Sequence, residues 1–126
     1  MRNQRGQTMV ELAMVMPIIA LMMFGVIQFG IVFHDYVTLT DAVRAGARKA
    51  AVSRDLGPVA ATAAVKQAVK DSASDLDQSK LVPSVNSAWG HGNDVTVSAI
   101  YPYSINLLGM VVKSGNLTSS TTERVE

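Results

Sequence analysis

The 126-residue sequence contains no cysteine. Without disulfides, a small domain outside the cytoplasm has to take its stability from packing, often against partner subunits. Charge is balanced as well as sparse: eleven basic against ten acidic side chains give a net charge of +1, and nothing in that balance points to nucleic acid. Two histidines stand far apart, His34 beside an apolar run and His91 in a glycine-rich loop, and no carboxylate pair sits at ligand spacing. A metal centre or a nucleophile therefore has no residues to carry it, and the chain is expected to be neither an enzyme nor a cofactor-binding protein. A secretory cleavage site is missing too. In a secretory signal, small residues follow the apolar core, whereas here the core ends in Phe33-His34-Asp35-Tyr36.

The sequence does contain one long apolar segment, residues 12–33, interrupted by a single strongly polar side chain, Gln28. A membrane-crossing helix needs about 20 mostly apolar residues at ~1.5 Å rise each, and this run meets that length. Arg2 and Arg5 precede it, while His34, Asp35 and Asp41 follow it before Arg44. By the positive-inside rule the N-terminus stays cytoplasmic and the remainder is exported. Pro17 removes one backbone donor inside the span and is expected to kink the helix without ending it. Gly25 and Gly30 read as small packing positions.

At the left edge of the span stands Arg5-Gly6-Gln7-Thr8-Met9-Val10-Glu11, with its glycine and basic residues ahead of the apolar core. That order resembles a class III, prepilin-type signal. Two further blocks follow in register, Phe24-Gly25-Val26-Ile27-Gln28-Phe29-Gly30 and Asp41-Ala42-Val43-Arg44-Ala45-Gly46-Ala47-Arg48-Lys49-Ala50-Ala51. Together they resemble the TadE-like pseudopilins and minor pilins of the tight-adherence (Tad) pilus. The Val95-Thr96-Val97 and Tyr101-Pro102-Tyr103 segments and the closing strand also resemble the ends of these proteins.

Past the span the helix is expected to continue to about residue 52, since residues 37–52 lack proline and are rich in alanine. Ala42, Gly46 and Ala50 fall four apart on one face, where small side chains allow close approach of another helix. That helix is either a neighbouring subunit's or the chain's own second helix. Leu56-Gly57-Pro58 then punctuates the chain, glycine closing the first helix and proline opening the next. The second helix is expected over residues 58–72, with Ala61, Val65, Ala68, Val69 and Ser72 on its inner side. Such a stripe buries too little area to hold an isolated helix, so it must dock on the first helix or on a small sheet.

Residues 72–93 read as loops around a short strand at Leu81-Val82-Pro83, with Trp89 covering the small core. Residues 94–101 alternate apolar and polar side chains, the clearest strand signal in the chain, and Pro102 is expected to stop it. Residues 103–112 read as a short helix or an apolar loop near the membrane, and residues 115–126 as a final strand pairing antiparallel with the first. Asn116-Leu117-Thr118 matches a glycosylation sequon but reads better as ordinary strand. The fold class is thus α+β and pilin-like: a transmembrane and extended helix over residues 7–52, then a small exported domain over 53–126 with a second helix and an antiparallel sheet.

The resemblance implies more. A prepilin peptidase would cut between Gly6 and Gln7, removing residues 1–6 as a leader and leaving the apolar helix on the mature chain with Glu11 as its fifth residue. The mature chain would then hold nine basic and ten acidic residues, since Arg2 and Arg5 leave with the leader. Glu11 would answer the freed amine of Gln7, its own or a neighbour's, and set subunit register during assembly. Implied partners are the peptidase, other pilin subunits, assembly-platform proteins and membrane lipid, with no nucleic acid. The implied location is a bacterial or archaeal cytoplasmic membrane and an extracellular pilus, with roles in adhesion or secretion. The alternative is an uncleaved single-span accessory protein of a pilus or secretion machine.

Overall fold

A computed structural model describes residues 2–126, with side chains from Gly6 onward. The first residue of the expected leader, Met1, lies outside the described residues. The chain runs as helix α1 (Arg2–Ala51), a short 3-10 turn (Arg54–Leu56), helix α2 (Pro58–Ser72) and three strands, β1 (Val82–Ser87), β2 (Asp94–Leu107) and β3 (Met110–Arg124). This is the expected α+β architecture. The fifty residues of α1 make a rod of about 75 Å at ~1.5 Å per residue, and Pro17 lies inside it without ending it.

The first helix ends earlier than the position of Gly57 implies. Its last residue is Ala51, and Ser53 turns back to close it, donating its N–H to Ala50 O at 3.1 Å and its hydroxyl to the Lys49 carbonyl. Gly57 instead precedes α2 at φ +81°, a left-handed conformation that glycine adopts without strain, and Pro58 occupies the first turn. At the other end of α2, Gln78 Nε2 donates to the Lys70 carbonyl in the last turn at 3.3 Å and to Ala73 O and Leu76 O just beyond the helix at 2.7 and 3.2 Å. Asp77 organises the next turn: its Oδ1 accepts the Ser79 hydroxyl at 2.6 Å and the Ser79 N–H at 3.0 Å.

The three strands form one antiparallel sheet in the order β1-β2-β3. β1 is longer than the expected short strand, pairing Val82 with Ile100 through Ser87 with Val95. Pro102 does not stop β2, which continues to Leu107 and pairs Pro102 with Asn116. Beyond Ile100, β2 has no β1 neighbour, so a residue lacking an N–H is tolerated there. Residues 103–112 are neither helix nor loop. They form the end of a long hairpin, closed by Leu108 and Gly109 at φ +50° and +86°, with a bulge between Ile105 and Asn106. Positive φ at both central positions is the turn geometry that matches strand twist. The last strand pairs with β2, not with β1.

The core lies where the C-terminal third of α1 meets α2 and the sheet. Leu39, Ala42, Val43, Ala47 and Ala50 of α1 are fully buried against Val65 and Val69 of α2 and Val95, Val97 and Ala99 of β2. Trp89 is half-buried against this cluster, as is Tyr101, whose hydroxyl accepts the Asp77 N–H at 3.3 Å. Ser72, expected on the inner side of α2, is exposed, and Ala73 takes the buried place. The chain's end closes over the core: Val125 exchanges N–H and carbonyl with Asn93 and Gly92 at 2.8 and 2.9 Å, and Glu126 N–H reaches Ala51 O at 3.1 Å.

Candidate functional site

The N-terminal half of α1 makes no core. Over residues 9–33 its large apolar side chains are exposed, Val26 to 71%, apart from half-buried Val32. In water such a surface on every face of a helix is unfavourable, and in a bilayer it is ordinary. Within Gly6–Ala51 the helix is long and apolar enough to cross a membrane. A Cβ on Gly25 or Gly30 would meet nothing within 4 Å, so the fold itself does not require small residues there.

At the entrance to the run, Gly6, Gln7 and Glu11 lie on one continuous helix and are all exposed. Gln7 and Glu11 are one turn apart, and the Gln7 amide donates from Nε2 to Glu11 Oε1 at 3.3 Å. In the full-length chain the Gln7 nitrogen is a peptide nitrogen inside α1, so the side-chain amide is what Gln7 offers the carboxylate. A Cβ on Gly6 would meet nothing within 4 Å, and its φ lies outside the left-handed region. Folding therefore places no demand for glycine at position 6.

Ala42, Gly46 and Ala50 are brought together in the chain's own core. A Cβ on Gly46 would lie 2.4 Å from Cγ2 of Val69 and 3.3 Å from Cγ1 of Val97, so α1 meets both α2 and β2 there. Asp41 and Arg44 form an exposed pair at 3.5 Å. His34 and His91 are both exposed and belong to different elements, and among the described residues no group of three or more His, Cys, Asp or Glu side chains is placed to hold a metal. The apolar end of the β2–β3 hairpin is a feature of the domain that the sequence reading of residues 103–112 as helix or loop misses. Leu108-Gly109 between apolar residues was its one local signal.

The fold and the helix together define a class: an α+β chain whose single long apolar helix leads directly into a small domain, which fits a membrane-anchored protein. Within that class the family model described as TadE-like protein matches residues 6–48, which take in the first block from Gly6, the whole of the second and the third as far as Arg48, and over that stretch the chain is similar to TadE-like proteins. The match does not reach the β-strand segments whose resemblance was noted above. No curated protein and no solved structure matches the chain.

Proposed function

We propose that this protein is a minor pilin or pseudopilin of a Tad-type pilus, inserted with its N-terminus cytoplasmic, cut between Gly6 and Gln7 by a prepilin peptidase, and then incorporated into the filament or used to prime it. It has no catalytic role of its own. The observation that carries the proposal is Gly6, an exposed helical glycine for which the fold has no use, five residues ahead of Glu11 at the mouth of an apolar helix. A peptidase must bring catalytic groups close to the backbone it cuts, and a residue without a side chain permits that approach.

Cleavage changes the chemistry at this entrance. It converts the Gln7 peptide nitrogen into an ammonium one turn from Glu11. A charge deep in a membrane helix costs about 2.5–3.5 kcal/mol on insertion scales, less near the interface, and a helix N-terminus returns only about 0.3–1 kcal/mol. An ion pair at ~4 Å contributes up to about 4 kcal/mol at an effective dielectric near 20, enough to offset the remainder. A neighbouring subunit's amine supplies that partner in a filament and fixes register. Cyclisation of an N-terminal glutamine would remove the charge, so the state of Gln7 matters to assembly.

The test is co-expression of the parent and Gly6→Val with the cognate peptidase, followed by electrophoresis of membrane fractions. The parent is expected to shorten while Gly6→Val stays at precursor size. Normal processing of the variant refutes the prepilin reading, and a parent that stays at precursor size favours the uncleaved accessory protein.

A further inference from the structure

The β2–β3 hairpin projects beyond the core, and two contacts fix its direction. The Glu126 N–H to Ala51 O bond puts the hairpin base at the end of α1, and Gly46 faces Val97. Moving along β2 from Asp94 to Val97 thus means moving back along α1 toward the apolar run. Val97 to Leu108 is about 36 Å of strand, whereas Gly46 to Phe33 is about 20 Å of helix, so the tip reaches the level of Phe33 even when inclined to α1 by about 55°.

The exposure pattern follows the same geometry. On α1, Gln28, Val32, Asp35 and Thr38 are half-buried and continue the stripe of buried Leu39, Ala42 and Val43 toward the N-terminus. On β2, Tyr101, Tyr103, Ile105 and Leu107 are half-buried on the face that carries Val95, Val97 and Ala99. The half-buried rows measure about 15 Å on the helix, at ~1.5 Å per residue, and about 20 Å on the strand, at ~3.3 Å, as expected for a strand inclined to the helix. The hairpin therefore lies along α1 to the upper part of the apolar run.

Its end is apolar and uncharged. Residues 103–112 carry no charged side chain, and Leu108, Met110, Val111 and Val112 are 72%, 70%, 64% and 60% exposed. Lys113 follows immediately. A leucine stands at φ +50°, where turn geometry favours Gly, Asn or Asp, so the turn itself does not account for its side chain.

We propose that the tip of the β2–β3 hairpin seats in the interface of the same bilayer that α1 crosses, with Leu108, Met110, Val111 and Val112 at the acyl boundary and Tyr103 and Lys113 at headgroup level. The proposal rests on reading α1 as a membrane span. Its occupant is lipid because the tip descends alongside the apolar run, ends in exposed aliphatic side chains and carries its nearest cation at the rim. Aromatic rings and a lysine that reaches toward water suit that depth. Open strand edges are excluded from the hydrocarbon interior, so only the turn and its flanking residues enter.

The absence of cysteine makes single-site labelling straightforward. Full-length M22C, L108C, V111C and T118C would each carry an environment-sensitive fluorophore in vesicles of phosphatidylethanolamine and phosphatidylglycerol, with nitroxide-labelled lipid or aqueous iodide as quencher. Labels at 22, 108 and 111 are expected to lose fluorescence to the nitroxide lipid and to resist iodide, and the label at 118 to do the reverse. If 108 and 111 behave like 118 while 22 stays in lipid, the hairpin proposal is wrong and the span stands. Labels at 108 and 111 shielded from both quenchers indicate a protein partner, such as a second copy, and also overturn it. If 22 is open to iodide, the spanning reading fails and the hairpin proposal with it.

Discussion

Gly46 offers the sharpest test of how the exported domain is held to α1. A methyl group added there would sit 2.4 Å from Cγ2 of Val69, 3.3 Å from Cγ1 of Val97 and 3.6 Å from Cγ1 of Val65, whereas carbon atoms pack best at about 3.5–4.0 Å. Val69 is fully buried and β-branched, so it has little rotamer freedom with which to yield, and α2 has to move outward. Overpacking of this kind costs about 1–3 kcal/mol, and alanine returns up to about 1 kcal/mol of helix propensity. The 2.4 Å approach puts the cost near the top of that range, so the expected net loss for Gly46→Ala is about 2 kcal/mol, or a fall in Tm of about 8–16 °C for a unit of this size. Urea unfolding in detergent, followed by the fluorescence of the single tryptophan, Trp89, reads this directly. In a Val69→Ala background the closest obstructing atom is gone, and the cost of Gly46→Ala should shrink by about 1 kcal/mol or more. Equal stability of Gly46→Ala and parent, or an equal cost in both backgrounds, would refute the packing argument.

Leu39 is fully buried where α1 enters the core, and Leu39→Ala is expected to cost about 2–5 kcal/mol in the same unfolding assay, without changing membrane insertion. Asp77 is held below its ordinary value of 3.8, first by the Ser79 hydroxyl and then by the Ser79 N–H, with Lys80 assisting. A carboxyl depressed on folding contributes stability above its unfolded value and loses that contribution as pH falls through the folded one. Asp77→Asn should therefore be less stable than the parent at neutral pH, with the gap narrowing in parallel melts as pH falls through and below the ordinary carboxylate range. Glu11→Gln and Glu11→Ala are expected to insert and be cut but to remain in the membrane fraction. Incorporation of both into sheared filaments at parental levels would remove Glu11 from assembly.

The helices were legible because their signals are local. An unbroken apolar run followed by alanine fixes α1, and Pro58 fixes the start of α2. Strand signals failed where the deciding information is non-local. Pro102 looks like a stop in isolation, and it is tolerated because β1 has already ended and left β2 with a single partner strand. The hairpin end reads as helix or loop because Ile105, Leu107, Leu108, Met110 and Val111 carry no clean alternation: the turn at Leu108-Gly109 and Val112, the unpaired extra residue of β3 opposite Ile105 and Asn106, break the pattern. The face of Ala42, Gly46 and Ala50 was visible, but two partners fitted it, and the structure places α2 and β2 against Gly46. At the helix entrance the order Gly6, Gln7, Glu11 is a matter of spacing along one helix, so reading it needs no tertiary information.

N-terminal sequencing of the protein recovered from sheared filaments, with mass spectrometry to register a cyclised glutamine, tests the central claim most directly. A chain beginning at Gln7 is the predicted result. A chain that retains Arg5 and Gly6 contradicts it.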